Sequence, residues 1–394
     1  MSAWKVASLG AITTLLYVVA LLDELASGAP TIGAPDIERA FELRHASIAL
    51  VIFVVPAVVG FVVEPFVFLA SDRYPRKWFV VGGLGAMAAA SFVSALAPNA
   101  ATLSVAIAVW YIAAGASASL SQATLVDRDP EHRARTMTRW TLFAAIGDLV
   151  APLAFGALAA LGLSWRVSFA VVGTTLAVWC AAVASRQFPE AHSGGDDEPD
   201  KVPLLRALRE ALRDRVLVLW LFGLALCDLL DEILVVFASL HVRIDLGASV
   251  AWQSAILAGL VVGSIAGLAA LDRMLTRYTD QTLVIACGLL CAGFYAAWLA
   301  APSLWWSAIL IVPVGATSST LYPLAAARAY ARCPGRSGVV LAGGHLFTPV
   351  GLALPWLLGM VADRAGTMVA LGLLIIQPIG LAALGYVSRR PPKI

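Results

Sequence analysis

The chain has 394 residues, 60% of them hydrophobic and 13% charged, with a mean hydropathy of +0.85 and a formal net charge of +2. A water-soluble domain carries about a quarter charged residues, so this composition excludes one, and the near-neutral charge gives no sign of a nucleic-acid partner. Apolar runs of about 20 residues suit α-helices crossing about 30 Å of hydrocarbon, and the alternating segments of about 10 residues that build membrane barrels are missing. The fold class is therefore an all-α membrane protein.

Twelve spans are predicted, at 6–35, 47–70, 78–97, 101–126, 136–161, 167–185, 216–242, 250–271, 281–301, 304–330, 338–361 and 367–387. The first holds "LLDELASG", which sets Asp23 and Glu24 side by side in an apolar run. "ASGA" at 26–29 resembles a signal-peptide cleavage site, but an acidic pair beside it argues for retention. The second span contains Glu64, followed by Pro65, and leads into the loop "SDRYPRK" at 71–77. The fourth carries the polar run Ser117, Ser119, Ser121 and Gln122, and the fifth carries Asp148 within "GDLVAP". Residues 186–215 are the only long hydrophilic stretch, a linker whose later part places Leu205, Leu208 and Leu212 on one face of a helix suited to the membrane surface.

The seventh span repeats "LLDE" and adds an acid, so that Asp228, Asp231 and Glu232 at i, i+3, i+4 are expected on one helical face. "LDRMLTR" at 271–277 follows the eighth span, the tenth carries Thr317, Ser318, Ser319 and Tyr322, and the eleventh carries His345 in "GHLFTP". Cys287 and Cys291 sit one helical turn apart with no other soft ligand nearby, so they read as packing and no metal site or cofactor is expected.

These echoes keep their order: Leu21–Glu24 with Leu229–Glu232, Asp72 with Asp272, "GASAS" with "GATSS", and "GDLVAP" with "GHLFTP". The chain therefore reads as two related six-helix halves, residues 1–185 and 216–394, joined by 186–215. With the N-terminus inside, 22 of the 27 Lys and Arg residues fall on the cytoplasmic side; only Arg39, Arg44, Arg166, Arg243 and Arg364 lie outside. The positive-inside rule then puts both termini and the linker in the cytoplasm.

Two six-helix halves joined by a cytoplasmic linker resemble the major facilitator superfamily. "SDRYPRK" is similar to that superfamily's signature between its second and third helices: Asp72, Arg73, Arg76 and Lys77 match its charged core, while Phe68 and Pro75 replace its glycines. Phe68 in place of glycine predicts a looser or differently angled helix contact. The core recurs at Asp272 and Arg273. Gly147, Ala151, Pro152 and Gly156 are similar to the Gly-Pro element of the superfamily's drug/proton antiporters, although 101–126 lacks the arginine that those antiporters carry. The resemblance implies twelve helices in two pseudo-symmetric bundles, with helices three, six, nine and twelve facing lipid and the rest around a cavity.

Ionisable residues avoid the centres of those four spans and occupy the first, second, fifth, seventh and eleventh, as expected when a charge at mid-bilayer costs about 2.5–3.5 kcal/mol. Asp23, Glu24, Glu64, Asp148, Asp228, Asp231, Glu232 and His345 are accordingly the candidate proton-coupling or substrate residues. Asp148 and His345 hold equivalent repeat positions and are expected to bridge one another, and Glu64 reads either as a coupling acid or as a helix-packing contact. Gln122, Ser119, Ser319 and Tyr322 are candidate cavity-lining residues, and Asp72, Arg73, Arg76, Lys77, Asp272 and Arg273 are candidate gating residues.

The function expected is proton-coupled transport by alternating access rather than enzymatic catalysis. The carrier is expected to be a monomer in the inner membrane whose partners are protons, lipid and a cationic or neutral amphipathic small molecule, export being the first reading and nutrient uptake the alternative. An intramembrane hydrolase and a non-transporting sensor or scaffold are weaker alternatives. A Ser193→Cys variant should resist impermeant thiol reagents applied to intact cells and react once the membrane is opened; strong labelling from outside would invert the topology.

Overall fold

The computed structural model describes residues 3–188 and 204–388. The linker segment 189–203, with Ser193 in it, and the basic tail Arg389, Arg390 and Lys393 lie outside the described residues. Eleven helices among the described residues are long and apolar enough to cross a membrane. They are α1 (Ala3–Ala40), α2 (Ser47–Ser71), α3 (Arg76–Leu96), α4 (Ala100–Arg128), α5 (Arg133–Ala160), α6 (Trp165–Ala184), α8 (Val250–Met274), α9 (Asp280–Leu299), α10 (Leu304–Arg332), α11 (Ser337–Ala365) and α12 (Thr367–Val387). Their starts are capped where sequence supplies a short polar side chain: Asn99, Ser164, Ser249 and Thr279 accept from backbone N–H groups of the first turn. A short helix, Leu204–Ala211, precedes the seventh span.

The seventh span departs from the continuous helix expected. It consists of α7a (Arg215–Ala225), a 3-10 turn at Cys227–Leu230, and α7b (Glu232–Leu240). Asp231 is the junction, at φ −118° and ψ −103°, outside the helical region. One face of one helix therefore does not present Asp228, Asp231 and Glu232. Three like charges at i, i+3 and i+4 repel one another on a regular helix, and the break removes that register. A break inside an apolar span leaves backbone groups unpaired; here the Leu230 N–H donates to the side-chain oxygen of Gln377 at 2.7 Å, and Gln377 is itself buried. Gln377 sits where α12 is irregular, just before Pro378.

The helices form two compact units. The first contains the chain up to Pro130, Phe143–Leu208 and Pro334–His345; the second contains Glu131–Leu142, Arg209–Cys333 and the chain from Leu346. The first turns of α5 thus belong to the second unit, and the first turns of α11 to the first. In the first unit α1 and α5 meet closely, because a Cβ at Gly147 would stand 2.5 Å from the Leu21 carbonyl oxygen and one at Gly28 would stand 2.7 Å from Ala151 Cβ. Ala151 is accommodated there because Gly28 lies opposite it. In the second unit α8 and α10 approach backbone to backbone through Gly263, Gly267 and Gly315.

Gln377→Leu keeps the volume but orphans the Leu230 N–H. An unsatisfied buried donor costs about 1–3 kcal/mol, so this variant should melt at lower temperature in detergent, while Gln377→Glu, which retains an acceptor, should lose less.

Candidate transport site

In the first unit the sequence acids converge. Gly147 brings α5 against Leu21 and Glu24 of α1, and Asp148 and Glu64 both act electrostatically on Asp23. Asp23, Glu64 and Asp148 come from α1, α2 and α5, so three helices contribute one carboxylate each. Asp23 Oδ1 is buried and accepts no hydrogen bond among the described residues. Glu64 is the most enclosed of the three, only 4% exposed. Its Oε1 fits against Gly115, where a Cβ would stand 2.5 Å away, and Gly115 opens a π-helical turn, Gly115–Ser119, in α4.

The carboxylate that meets His345 is Glu64, with Nε2 to Oε2 at 2.9 Å. In place of the bridge expected to Asp148, His345 thus meets a carboxylate of α2, and α11 is interrupted just after it. Pro349 cannot donate to the His345 carbonyl, and the regular helix resumes at Thr348. Phe68 packs on the imidazole at 5.1 Å between ring centroids.

Among the candidate lining residues, Gln122 is buried and Ser119 half-buried in the first unit. Ser121 next to them is fully buried with no partner for its hydroxyl among the described residues. In the second unit Ser319 donates to the Ser264 carbonyl at 3.2 Å, tying α10 to α8, and Tyr322 is 36% exposed. Asp228 leans on α11, its Oδ2 3.2 Å from where a Cβ on Gly351 would be, and Asp231 and Glu232 are within electrostatic reach of it.

Each copy of the charged signature builds a network. Asp72, just past the end of α2, accepts from the Gly338 N–H at 3.0 Å and the Val339 N–H at 3.1 Å, the first turn of α11. Arg76 donates to Asp72 at 3.1 Å, to Asp127 at 2.7 Å and to the Ser337 hydroxyl at 2.8 Å. Ser337 in turn donates to Asp127 at 2.6 Å. Burial holds the Asp72 carboxyl above its ordinary range, against the opposing pull of Arg76 and the two N–H groups. The looser contact expected at Phe68 is absent: a Cβ at Gly338 would stand 2.2 Å from the Phe68 carbonyl oxygen, so the glycine that permits close approach comes from α11 instead of α2.

In the second copy Asp272 accepts from Arg135 at 2.9 Å and Arg139 at 3.0 Å, both on the first turns of α5. Lys77 stands apart from the Asp72 network and donates to the Ala184 and Arg186 carbonyls, capping α6. Arg73 and Arg273 are exposed. Sequence alone does not single out Asp127, Ser337 or Gln377: Asp127 stands in a loop-like "VDRDP", and a lone serine or glutamine carries no charge for hydrocarbon to penalise.

Eleven membrane-length helices among the described residues, a broken seventh span, and carboxylates contributed to one region by three helices define a polytopic membrane protein. The sequence profile of the Major Facilitator Superfamily matches residues 16–342, and the chain belongs to that superfamily. Its fold is similar to the E. coli fucose:proton symporter FucP (TM-score 0.74, 16% identity, covering 96% of this chain and 98% of that one). It is also similar to the proton:xylose symporter XylE (0.73, 13%, 97% and 96%) and to the human organic anion transporter MFSD10 (0.68, 16%, 95% and 99%). No protein with a curated description matches it by sequence.

Arg76 and Asp127 are almost fully buried, and removing one member of a buried ion pair costs about 3–5 kcal/mol. Asp127→Ala should therefore lower the melting temperature markedly, and the double variant with Arg76→Met should recover part of the loss; additive losses would mean the two do not interact.

Proposed function

We propose that this chain is a proton-coupled secondary transporter working by alternating access, whose halves, 1–185 and 216–394, rock about a midplane site. The observation that carries this reading is the meeting of Asp23, Glu64 and Asp148 from three helices, with His345 on Glu64. Carboxylates held together in an apolar bundle cannot all stay ionised, and a group that exchanges a proton there can couple proton movement to substrate movement. The acids on the α7 break, Asp228, Asp231 and Glu232, give the second half its own titratable or cation-attracting group, and broken helices are where carriers of this kind bind substrate or ion.

An acid-rich interior favours a cationic or neutral amphipathic substrate over an organic anion, and export is the first reading of direction. Uptake of a small nutrient is the second, favoured by the description of two structural neighbours as sugar:proton symporters. We place the carrier in the inner membrane as a monomer with both termini cytoplasmic, on the distribution of Lys and Arg. The Asp72 and Asp272 networks serve as cytoplasmic latches: breaking the bonds to the first turns of α11 and α5 is the cost of opening that side. Arg73 and Arg273 flank them.

Two experiments test this. Amide substitution imitates a permanently protonated acid, so Glu64→Gln and Glu232→Gln, purified and reconstituted, should retain counterflow of a substrate found by thermal-shift screening. Whichever acid carries the coupling proton should lose pH-driven flux by at least about tenfold; full pH-driven flux in every amide variant, Asp23→Asn, Asp148→Asn, Asp228→Asn and Asp231→Asn included, would refute proton coupling through these acids. Asp72→Asn should slow turnover several-fold and leave equilibrium binding within about threefold, because its bonds differ between conformations and not between substrates. Loss of binding at an unchanged conformational balance would refute the latch.

A further inference from the structure

The short helix Leu204–Ala211 ahead of the seventh span repeats one dipeptide. Leu-Arg occurs at 205–206, 208–209 and, in the turn that closes the helix, at 212–213. Steps of three and four residues return to the same side of a helix, and each arginine lies about 100° round from the leucine before it. The leucines therefore form one stripe and the arginines one edge of it. Arg206, Arg209 and Arg213 are all exposed, and Glu210 is the single acid from Leu204 to Arg213. On the stripe Leu208 and Leu212 are half-buried, while Leu205 is 65% exposed.

The helix joins α7a without slack. The Arg213 and Asp214 N–H groups donate to the Glu210 and Ala211 carbonyls, and Asp214 is already the N-cap of α7a. Asp214 Oδ1 accepts from the Val216 N–H at 2.9 Å and the Leu217 N–H at 3.4 Å, and its Oδ2 accepts from Arg332 Nε at 2.7 Å, at the end of α10. Whatever holds the short helix is thus felt at the start of the seventh span.

A helix shorter than about 12–15 residues is marginal in water by itself, and most of its stability comes from covering its apolar face. A membrane interface meets both needs here, taking the leucines at the acyl boundary and setting headgroups beside the arginines. Guanidinium groups bind phosphate oxygens through paired N–H donors. The chain offers one competing anion, the acids Asp196, Asp197, Glu198 and Asp200 just upstream, but the sequence "HSGGDDEPDK" has no large apolar side chain with which to cover Leu205.

We propose that Leu204–Ala211 and its closing turn dock on anionic phospholipid of the cytoplasmic leaflet, with Arg206, Arg209 and Arg213 on the headgroup phosphates and the leucine stripe at the acyl boundary. Asp214 then holds the start of α7a at that depth. This rests on the cytoplasmic placement of the linker given above, and not on proton coupling.

The test uses the full chain with its five cysteines replaced by serine and an environment-sensitive fluorophore at Ala211→Cys, beside the stripe. The protein is placed in nanodiscs of neutral phosphatidylcholine, alone or mixed with phosphatidylglycerol. Phosphatidylglycerol should blue-shift the probe and expose it to quenching by lipids carrying a nitroxide high on the acyl chain, and high salt should weaken both effects. The triple variant Arg206→Gln, Arg209→Gln, Arg213→Gln should weaken the response at least about tenfold, and Leu205→Ser should lose the nitroxide quenching; the exposed positions of these side chains should leave the melting temperature unchanged. An equal blue shift in neutral nanodiscs, a response that survives the triple variant, or the same shift from soluble glycerol phosphate overturns lipid docking. So does a red shift in neutral nanodiscs when Asp196, Asp197, Glu198 and Asp200 are replaced by Asn and Gln, which would give the arginines to that segment. Nanodiscs expose both faces, so orientation is tested separately: docking on phosphatidylglycerol together with Ser193→Cys labelled from outside intact cells supports the lipid site and overturns its cytoplasmic placement.

Discussion

Inside hydrocarbon there is no water to satisfy a broken helix or an ionised side chain, and this constraint organises the whole molecule. Each irregularity in the long helices is met by a partner delivered from another helix. The gap in α7 leaves the Leu230 N–H free, and Gln377 accepts from it. The first turn of α11 has N–H groups with no intrahelical acceptor, and Asp72 takes two of them. Glu64 is enclosed between α4 and α11, with His345 Nε2 2.9 Å from its Oε2. The groups that satisfy these polar atoms are therefore also the ones that tie helices distant in sequence together.

The two copies of the signature solve one problem with different chemistry. Asp272 is held by the side chains of Arg135 and Arg139. By the repeat offset that relates Gly147 to Gly344, the counterparts of those arginines are Arg332 and Arg336, yet Arg332 is engaged with Asp214 at the start of α7a. Asp72 binds backbone instead, an approach that requires Gly338. Arg76, whose counterpart by the Asp72 to Asp272 offset is Thr276, extends the first network to Asp127 and Ser337. A contact through two exposed-side arginines is screened and adaptable; one through a helix N-terminus at close packing is directional. The two copies of the charged sequence are thus physically unequal, although each holds its aspartate just before an arginine.

Close approach is the other recurring element. Gly147 sets Asp148 beside the acids of α1, Gly115 makes room for Glu64, and Gly338 seats α11 on α2. Each of these glycines fixes the distance at which a carboxylate meets its neighbour. In a bundle held by van der Waals contact between small residues, that distance sets both the strength of each charge interaction and the ease with which it breaks.

Residue chemistry alone determined the all-helical membrane class and the long apolar runs, because hydrocarbon penalises each misplaced charge independently of what surrounds it. The signature's charged core was legible for the same reason. Tertiary structure alone decided the pairings. His345 meets Glu64 at the end of the first part of α11, just before the break ahead of Pro349, and Gln377, far along the chain, takes the N–H that the break in α7 exposes. Asp127, Ser337 and Gln377 carried no signal of their own: each is an ordinary polar residue until helices distant in sequence bring it within hydrogen-bond reach. The linear pattern holds the price of burying a group, and only the fold holds the identity of the partner that offsets it.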